Sequence, residues 1–149
     1  MTSPDPLRPD AILLDLPGRT RMEILAALAT RVAEIVGGDP LAIRRALTAR
    51  EQLGSTGVGA GVALPHAELA GLDRAIAIFA RPARPVDWEA IDDRPVELVV
   101  AVLSPPNRGD GSPNLLARLA RLLRNPETRR RLATCTSLDR AFEIFAGES

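Results

Sequence analysis

Between Thr20 and Gly37 the apolar positions Met22, Leu25, Leu28, Val32 and Ile35 recur at helical spacing, and Gly37-Gly38 stops the pattern. Thr20 with Glu23 three positions on forms a capping box, so the spacing predicts a long amphipathic helix that starts there. Asp39-Pro40 restarts a helix as N-cap and first-turn proline, with Ile43, Ala46 and Leu47 apolar, Arg44, Arg45 and Arg50 exposed, and an end near Gln52-Leu53. Elsewhere the pattern is that of strands. Ala11–Leu16 is a short apolar run closed by Pro17-Gly18, Val62-Ala63-Leu64 follows a glycine-rich turn, and Asp73–Ala80 reads as a buried strand. Val86-Asp87-Trp88 reads as a short edge strand, and Pro95–Leu103 is β-branched and almost continuously apolar, as a strand covered on both faces should be. Three helices close the chain: Pro113–Arg124 capped by Ser112, Pro126–Cys135 capped by Asn125, and Leu138–Ala146 capped by Ser137. Helices on either side of a strand-rich middle give an α/β (α+β) three-layer sandwich, with a mixed sheet of about five strands and helices on both faces. Residues 1–10, with Pro4, Pro6 and Pro9, read as a flexible lead-in to a single domain over 11–149.

Composition narrows the function. The chain has 149 residues, 46% of them hydrophobic and only 3% aromatic, so the core is aliphatic. Lys+Arg and Asp+Glu balance at 19 each, which excludes a nucleic-acid or anionic-membrane binder relying on a broad positive field. With no Tyr, one Trp and three Phe there is no platform for stacking bases. Cys135 is the single cysteine and His66 the single histidine, so neither an intramolecular disulfide nor a Cys/His metal site is expected. The N-terminal residues lack the basic-then-apolar order of a signal peptide, and no apolar run approaches the roughly 20 residues that span a bilayer. A soluble, cytoplasmic protein without membrane insertion is expected.

Specialised chemistry concentrates in Gly54–Ala67. Gly54, Gly57, Gly59 and Gly61 are four of the eleven glycines, and Pro65 and His66 follow within a few residues. A glycine-rich turn offers backbone N–H groups to an anion such as phosphate, and imidazole can act as a covalent nucleophile near neutral pH. That chemistry needs one ring nitrogen free and the other held by an acceptor. No Gly-Lys-Ser/Thr ends the stretch, so it is not a Walker A loop, and Val62 stands where a dinucleotide fingerprint needs its third glycine. On the residues alone, a flexible connector with an ordinary histidine is as good a reading as an anion cradle with a nucleophile.

The run Arg50-Glu51-Gln52-Leu53-Gly54-Ser55-Thr56-Gly57-Val58-Gly59-Ala60-Gly61-Val62-Ala63-Leu64-Pro65-His66 resembles the active-site signature of the enzyme IIA proteins of the fructose/mannitol class of the phosphotransferase system, including their nitrogen-regulatory branch. Pro85–Val100 is similar to a second stretch of that family, and the resemblance covers residues 11–146. It implies that His66 accepts a phosphoryl group from an HPr-like phosphocarrier protein, histidine to histidine and without a cofactor. It implies too that Arg50 contacts the phosphoryl oxygens, with Ser55, Thr56 and the amides of Gly57, Gly59 and Gly61 completing the cradle. The family commonly carries a second histidine at the start of a later helix; here that position falls on Ser112, or on Asn114 if the loop is shifted. Either can donate a hydrogen bond to phosphate, but a charged or tautomer-setting partner is lost, which bears on onward transfer more than on acceptance.

Three roles are open. The first is a regulatory phosphoacceptor whose phosphorylation state controls target proteins, favoured by a chain with no fused carrier, transport or membrane segment. The second is a sugar-specific enzyme IIA that passes phosphate to a fructose/mannitol-type enzyme IIB. The third is a binding module that keeps only the fold. The first two make it a phosphotransferase component, not a stand-alone small-molecule enzyme. The arginines between Leu115 and Arg131 form either a solvated face or a docking face.

Overall fold

Capping residues stand where the helices begin. In the computed structural model, which describes residues 7–106 and 112–147 apart from the side chains of Ser112 and Pro113, Thr20 Oγ1 accepts the Glu23 N–H (3.1 Å) and Glu23 Oε1 accepts the Arg19 N–H (2.7 Å). This starts α1 (Arg21–Val36), which ends on Gly37 in the left-handed region (φ 72°). Asp39 Oδ1 accepts the Leu41 N–H (3.0 Å) to start α2 (Pro40–Gln52). Asn125 caps α4 (Pro126–Thr134) in the same way, and Ser137 Oγ accepts the Arg140 N–H at the start of α5 (Leu138–Gly147). The remaining helix is α3 (Ser112–Leu122).

Six strands form one mixed sheet among the described residues: β1 (Leu7–Leu16), β2 (Gly57–Gly59), β3 (Val62–Ala63), β4 (His66–Glu68), β5 (Ile76–Pro82) and β6 (Leu98–Ser104). The order is β1-β5-β6-β3-β2, with β4 also on β6. β1 runs parallel to β5, β5 antiparallel to β6, and β3 antiparallel to β2. β3 and β4 are both parallel to β6, with Val62 opposite Leu98 and His66 opposite Val102, so they are one strand interrupted at Leu64-Pro65. Helices cover both faces. On β5, Phe79 meets Phe145 of α5 edge-on (centroids 5.1 Å apart). Arg81, two residues further and so on the same face, reaches the carbonyls of Leu132 (2.9 Å) and Cys135 (2.6 Å) at the end of α4. Leu98 to Leu103 are all buried, as a central strand between two helical layers requires.

The differences from the sequence reading have local causes. β1 starts at Leu7, ahead of the apolar run, because Leu7 is buried and pairs with Ala77 in spite of the charged and proline residues that follow it. Met22 lies off the buried stripe of α1, which is made of Ile24, Leu25, Leu28, Ala29, Val32 and Ala33. Val86–Trp88 makes a single bridge, Val86 to Val96, and no strand; Trp88 is instead a fully buried plug. β2 and β4 are three-residue strands whose glycines, alanine and charged residue carry no strand signal. Among the described residues no helix is long and apolar enough to cross a membrane.

Asp92 closes the β2–β3 hairpin from outside, accepting the N–H groups of Ala60 (2.9 Å) and Arg94 (3.1 Å). These bonds, that of Ala60 first, hold its carboxyl below the ordinary value of 3.8. Because the folded value is the lower one, ionised Asp92 adds stability above about pH 4 that is lost as pH falls through the folded value. Urea unfolding of Asp92→Asn should therefore show a deficit against the unaltered protein near neutral pH that closes in acid; a deficit independent of pH would show that the carboxylate charge is not what holds the hairpin.

Candidate functional site

Leu64 and Pro65 interrupt the strand beside β6. Leu64 turns its N–H to Thr56 O (2.9 Å), Pro65 has no N–H, and its carbonyl accepts the Val102 N–H (2.9 Å). The freed Leu64 carbonyl lies 2.9 Å from His66 Nδ1. A carbonyl only accepts, so Nδ1 carries the proton and Nε2 presents its lone pair. Nε2 faces Arg50 of the last turn of α2, whose Nε–H donates to it at 3.4 Å, while Arg50 Nη1 donates to Gly54 O (2.9 Å). Both side chains are half-buried, so a nucleophilic nitrogen and a guanidinium share one partly desolvated spot.

Beneath them lies a polar network. Glu51 is 3% exposed, and its carboxylate accepts the Thr56 N–H (2.8 Å), the Thr56 hydroxyl (2.6 Å) and Arg21 Nη1 (3.3 Å). The Thr56 hydroxyl accepts Trp88 Nε1–H (3.1 Å); Trp88 O accepts from Ser55 Oγ (2.6 Å) and Arg21 Nη1 (3.2 Å); Ser55 Oγ accepts the Gly57 N–H (3.0 Å). Arg21 also pairs with Glu89 (3.3 Å).

The structure thus brings Arg50 and His66 together and gives the other expected cradle groups different work. The Ser55 hydroxyl bonds Trp88 O, the Thr56 amide and hydroxyl bond Glu51, and the Gly57 amide bonds the Ser55 hydroxyl. Gly59 (φ 100°), Ala60 (φ 57°) and Gly61 (φ 79°) take left-handed backbone to turn the hairpin. That turn sits at the Leu98 end of β6, whereas His66 lies opposite Val102, about 13 Å further along at about 3.3 Å per residue. Ser112 is the first residue of α3, its side chain outside the described residues; Asn114 is exposed in the same turn. The arginine-rich segment is two helices broken at Asn125-Pro126. Arg118, Arg121, Arg124, Arg130 and Arg131 are exposed, but Arg129 caps α3 through the carbonyls of Leu123 (2.9 Å) and Arg124 (2.8 Å). Glu127 bonds both Arg130 and Arg131, and Arg130 above all holds its carboxyl below the ordinary value of 4.5.

Sequence reasoning gave no role to Glu51, Trp88 or Arg21. Arg50, expected to be exposed with Arg44 and Arg45, is half-buried, and a buried glutamate beside it leaves no periodic signal; only the presence of Glu51 and Trp88 in the two family-like stretches hinted at them. Among the described residues no group of three or more His, Cys, Asp or Glu side chains is placed to hold a metal ion.

Comparison with known proteins agrees with this architecture. Residues 5–147 match the family described as phosphoenolpyruvate-dependent sugar phosphotransferase system, EIIA 2. The chain belongs to that family. A nitrogen regulatory protein of Bradyrhizobium diazoefficiens is 37% identical over 95% of this chain and 93% of its own length. The crystal structure of the nitrogen regulatory protein IIA-Ntr from Neisseria meningitidis superimposes with a TM-score of 0.87 at 30% identity, covering 93% of this chain and 94% of that one. A fructose-specific EIIA component of Haloferax volcanii is 31% identical over 92% of this chain and 90% of its own length. The resemblance read from Arg50–His66 to the fructose/mannitol class and its nitrogen-regulatory branch is therefore correct.

A Cβ on Gly57 would lie 2.8 Å from Ala90 Cβ and 2.9 Å from Ala90 Cα, so the backbone must shift to admit it. Gly57→Ala should lower unfolding stability by about 1–3 kcal/mol in urea titration; an unchanged midpoint would mean that the loop over Ala90 is not closely packed.

Proposed function

We propose that this protein is a regulatory phosphoacceptor of a phosphotransferase relay, phosphorylated on His66 by an HPr-like carrier in the cytoplasm and controlling target proteins through its phosphorylation state. The observation that carries this is the pairing of a free Nε2 with the Arg50 guanidinium while Leu64 O holds Nδ1–H. The Nε2 lone pair attacks phosphorus in line with the carrier's P–N bond. That bond breaks, its electron pair returns to the carrier's imidazole, and Nδ1 keeps its proton, so no proton moves in the step. Arg50 passes from Nε2 to the phosphoryl oxygens, spreading its charge over a loose transition state in which positioning and neutralisation are most of what the protein supplies. Ser112 or Asn114, at the start of α3, provides the hydrogen bond that the family's second histidine would otherwise make.

The product carries up to about two added negative charges on a half-buried site, enough to change a surface contact. The likeness to nitrogen regulatory proteins supports the regulatory reading, and that to the fructose-specific component supports a second one, transfer to a fructose-type enzyme IIB.

Incubation with a phosphoenolpyruvate-fed carrier system should give an acid-labile, base-stable phosphate that is absent from His66→Ala. Arg50→Ala should slow labelling by about 10²–10³-fold, the effect of removing one charge-stabilising donor. An unlabelled protein, or a label that survives in His66→Ala, would contradict the proposal, and efficient passage to a fructose-type enzyme IIB would favour the second reading.

A further inference from the structure

We infer that Glu51 is a positioning residue for phosphoryl transfer, tying Arg50 and His66 to one buried carboxylate; the inference rests on the phosphoacceptor reading. Glu51 and Thr56 bracket Leu53, Gly54 and Ser55, and the two bonds from Thr56 to the carboxylate fold this loop back across the end of α2. Gly54 lies inside the loop, and its carbonyl receives Arg50 Nη1. Thr56, the other end of the clamp, accepts the Leu64 N–H at its carbonyl (2.9 Å), and the Leu64 carbonyl in turn holds His66 Nδ1 (2.9 Å). From the one carboxylate, then, a short path through Gly54 sets the guanidinium and another through Thr56 and Leu64 sets the imidazole tautomer and plane.

The arrangement needs a carboxylate. One Glu51 oxygen accepts an N–H and the other an O–H, while the Thr56 hydroxyl already accepts Trp88 Nε1–H. Glutamine can meet only one of these demands, and its amide N–H₂ would face a donor or an oxygen already engaged. The side chain is 1% exposed, and Arg21 and both Thr56 groups donate to its oxygens there. Glu51 is shielded from solvent, so its removal acts on the geometry of the groups bonded to it.

The test is Glu51→Gln in the full chain, assayed with the HPr-like carrier below its melting temperature. The rate constant kcat for phosphoryl acceptance should fall about ten- to hundredfold, as for misplaced reacting groups, with KM for the carrier within about twofold of the unaltered protein. In the unphosphorylated protein, ¹⁵N spectra of His66 should change from the Nδ1–H tautomer to an average of both. Should Glu51→Gln not fold, Thr56→Val removes the hydroxyl at nearly constant volume and should lower kcat and change the His66 spectrum in the same way. Unchanged kcat, or slower transfer with an unchanged His66 spectrum, overturns the inference. If the unaltered protein takes no phosphate, the phosphoacceptor reading falls, and the His66 spectra still decide whether Glu51 sets the ring.

Discussion

Pro65 cannot donate to a sheet ladder, and the strand that runs beside β6 from Val62 to Glu68 is broken at that residue and at Leu64 before it. A continuous strand would send the Leu64 amide and carbonyl to a neighbouring strand. Here the amide goes to Thr56 and the carbonyl to His66 Nδ1, so the break both closes the loop before β2 and fixes the histidine tautomer. Placement of His66 thus follows from the sheet itself: β6 is buried along Leu98–Leu103 and gives β4 a rigid line to register against.

The polar network under the site is the second requirement. An aliphatic core with few aromatic residues offers little to hold a loop of glycines, serine and threonine, whose backbone gains almost nothing from apolar burial. Trp88 fills the space and donates its one N–H to Thr56, and Arg21 reaches in from the first turn of α1. Segments distant in sequence, the starts of α1 and the 86–90 stretch, are thereby joined to the end of α2. Loss of a single member leaves buried polar groups unsatisfied, at a cost of about 1–3 kcal/mol each.

Much of this was legible beforehand. Caps at Thr20, Asp39, Asn125 and Ser137 and the helical spacing of α1 and α2 gave the helices, and the β-branched run before Leu103 gave the central strand, because these signals are local. The short strands were not legible. β2 and β4 exist because β3 and β6 are there to pair with them, a tertiary cause that three residues cannot express. His66 and Arg50 stand out through a family-like stretch, and it is the resemblance, not the residues alone, that implies an anion cradle in its glycines. Their geometry is that of a hairpin turn, with Gly57 pressed on Ala90 and Gly61 left-handed beside Glu97. Composition marks a tight backbone equally well in either use, so the distinction needed the register of β3 on β6.

The chain is an enzyme IIA-family protein in which an imidazole is oriented from behind by a backbone carbonyl and met in front by an arginine. The direct test of that account is which nitrogen bears phosphorus. In ¹⁵N-histidine-labelled phosphoprotein, the phosphorus should couple to Nε2 of His66 while Nδ1 remains protonated and bonded to Leu64 O. Phosphorus on Nδ1 would contradict the account, because Leu64 O could not then hold that nitrogen.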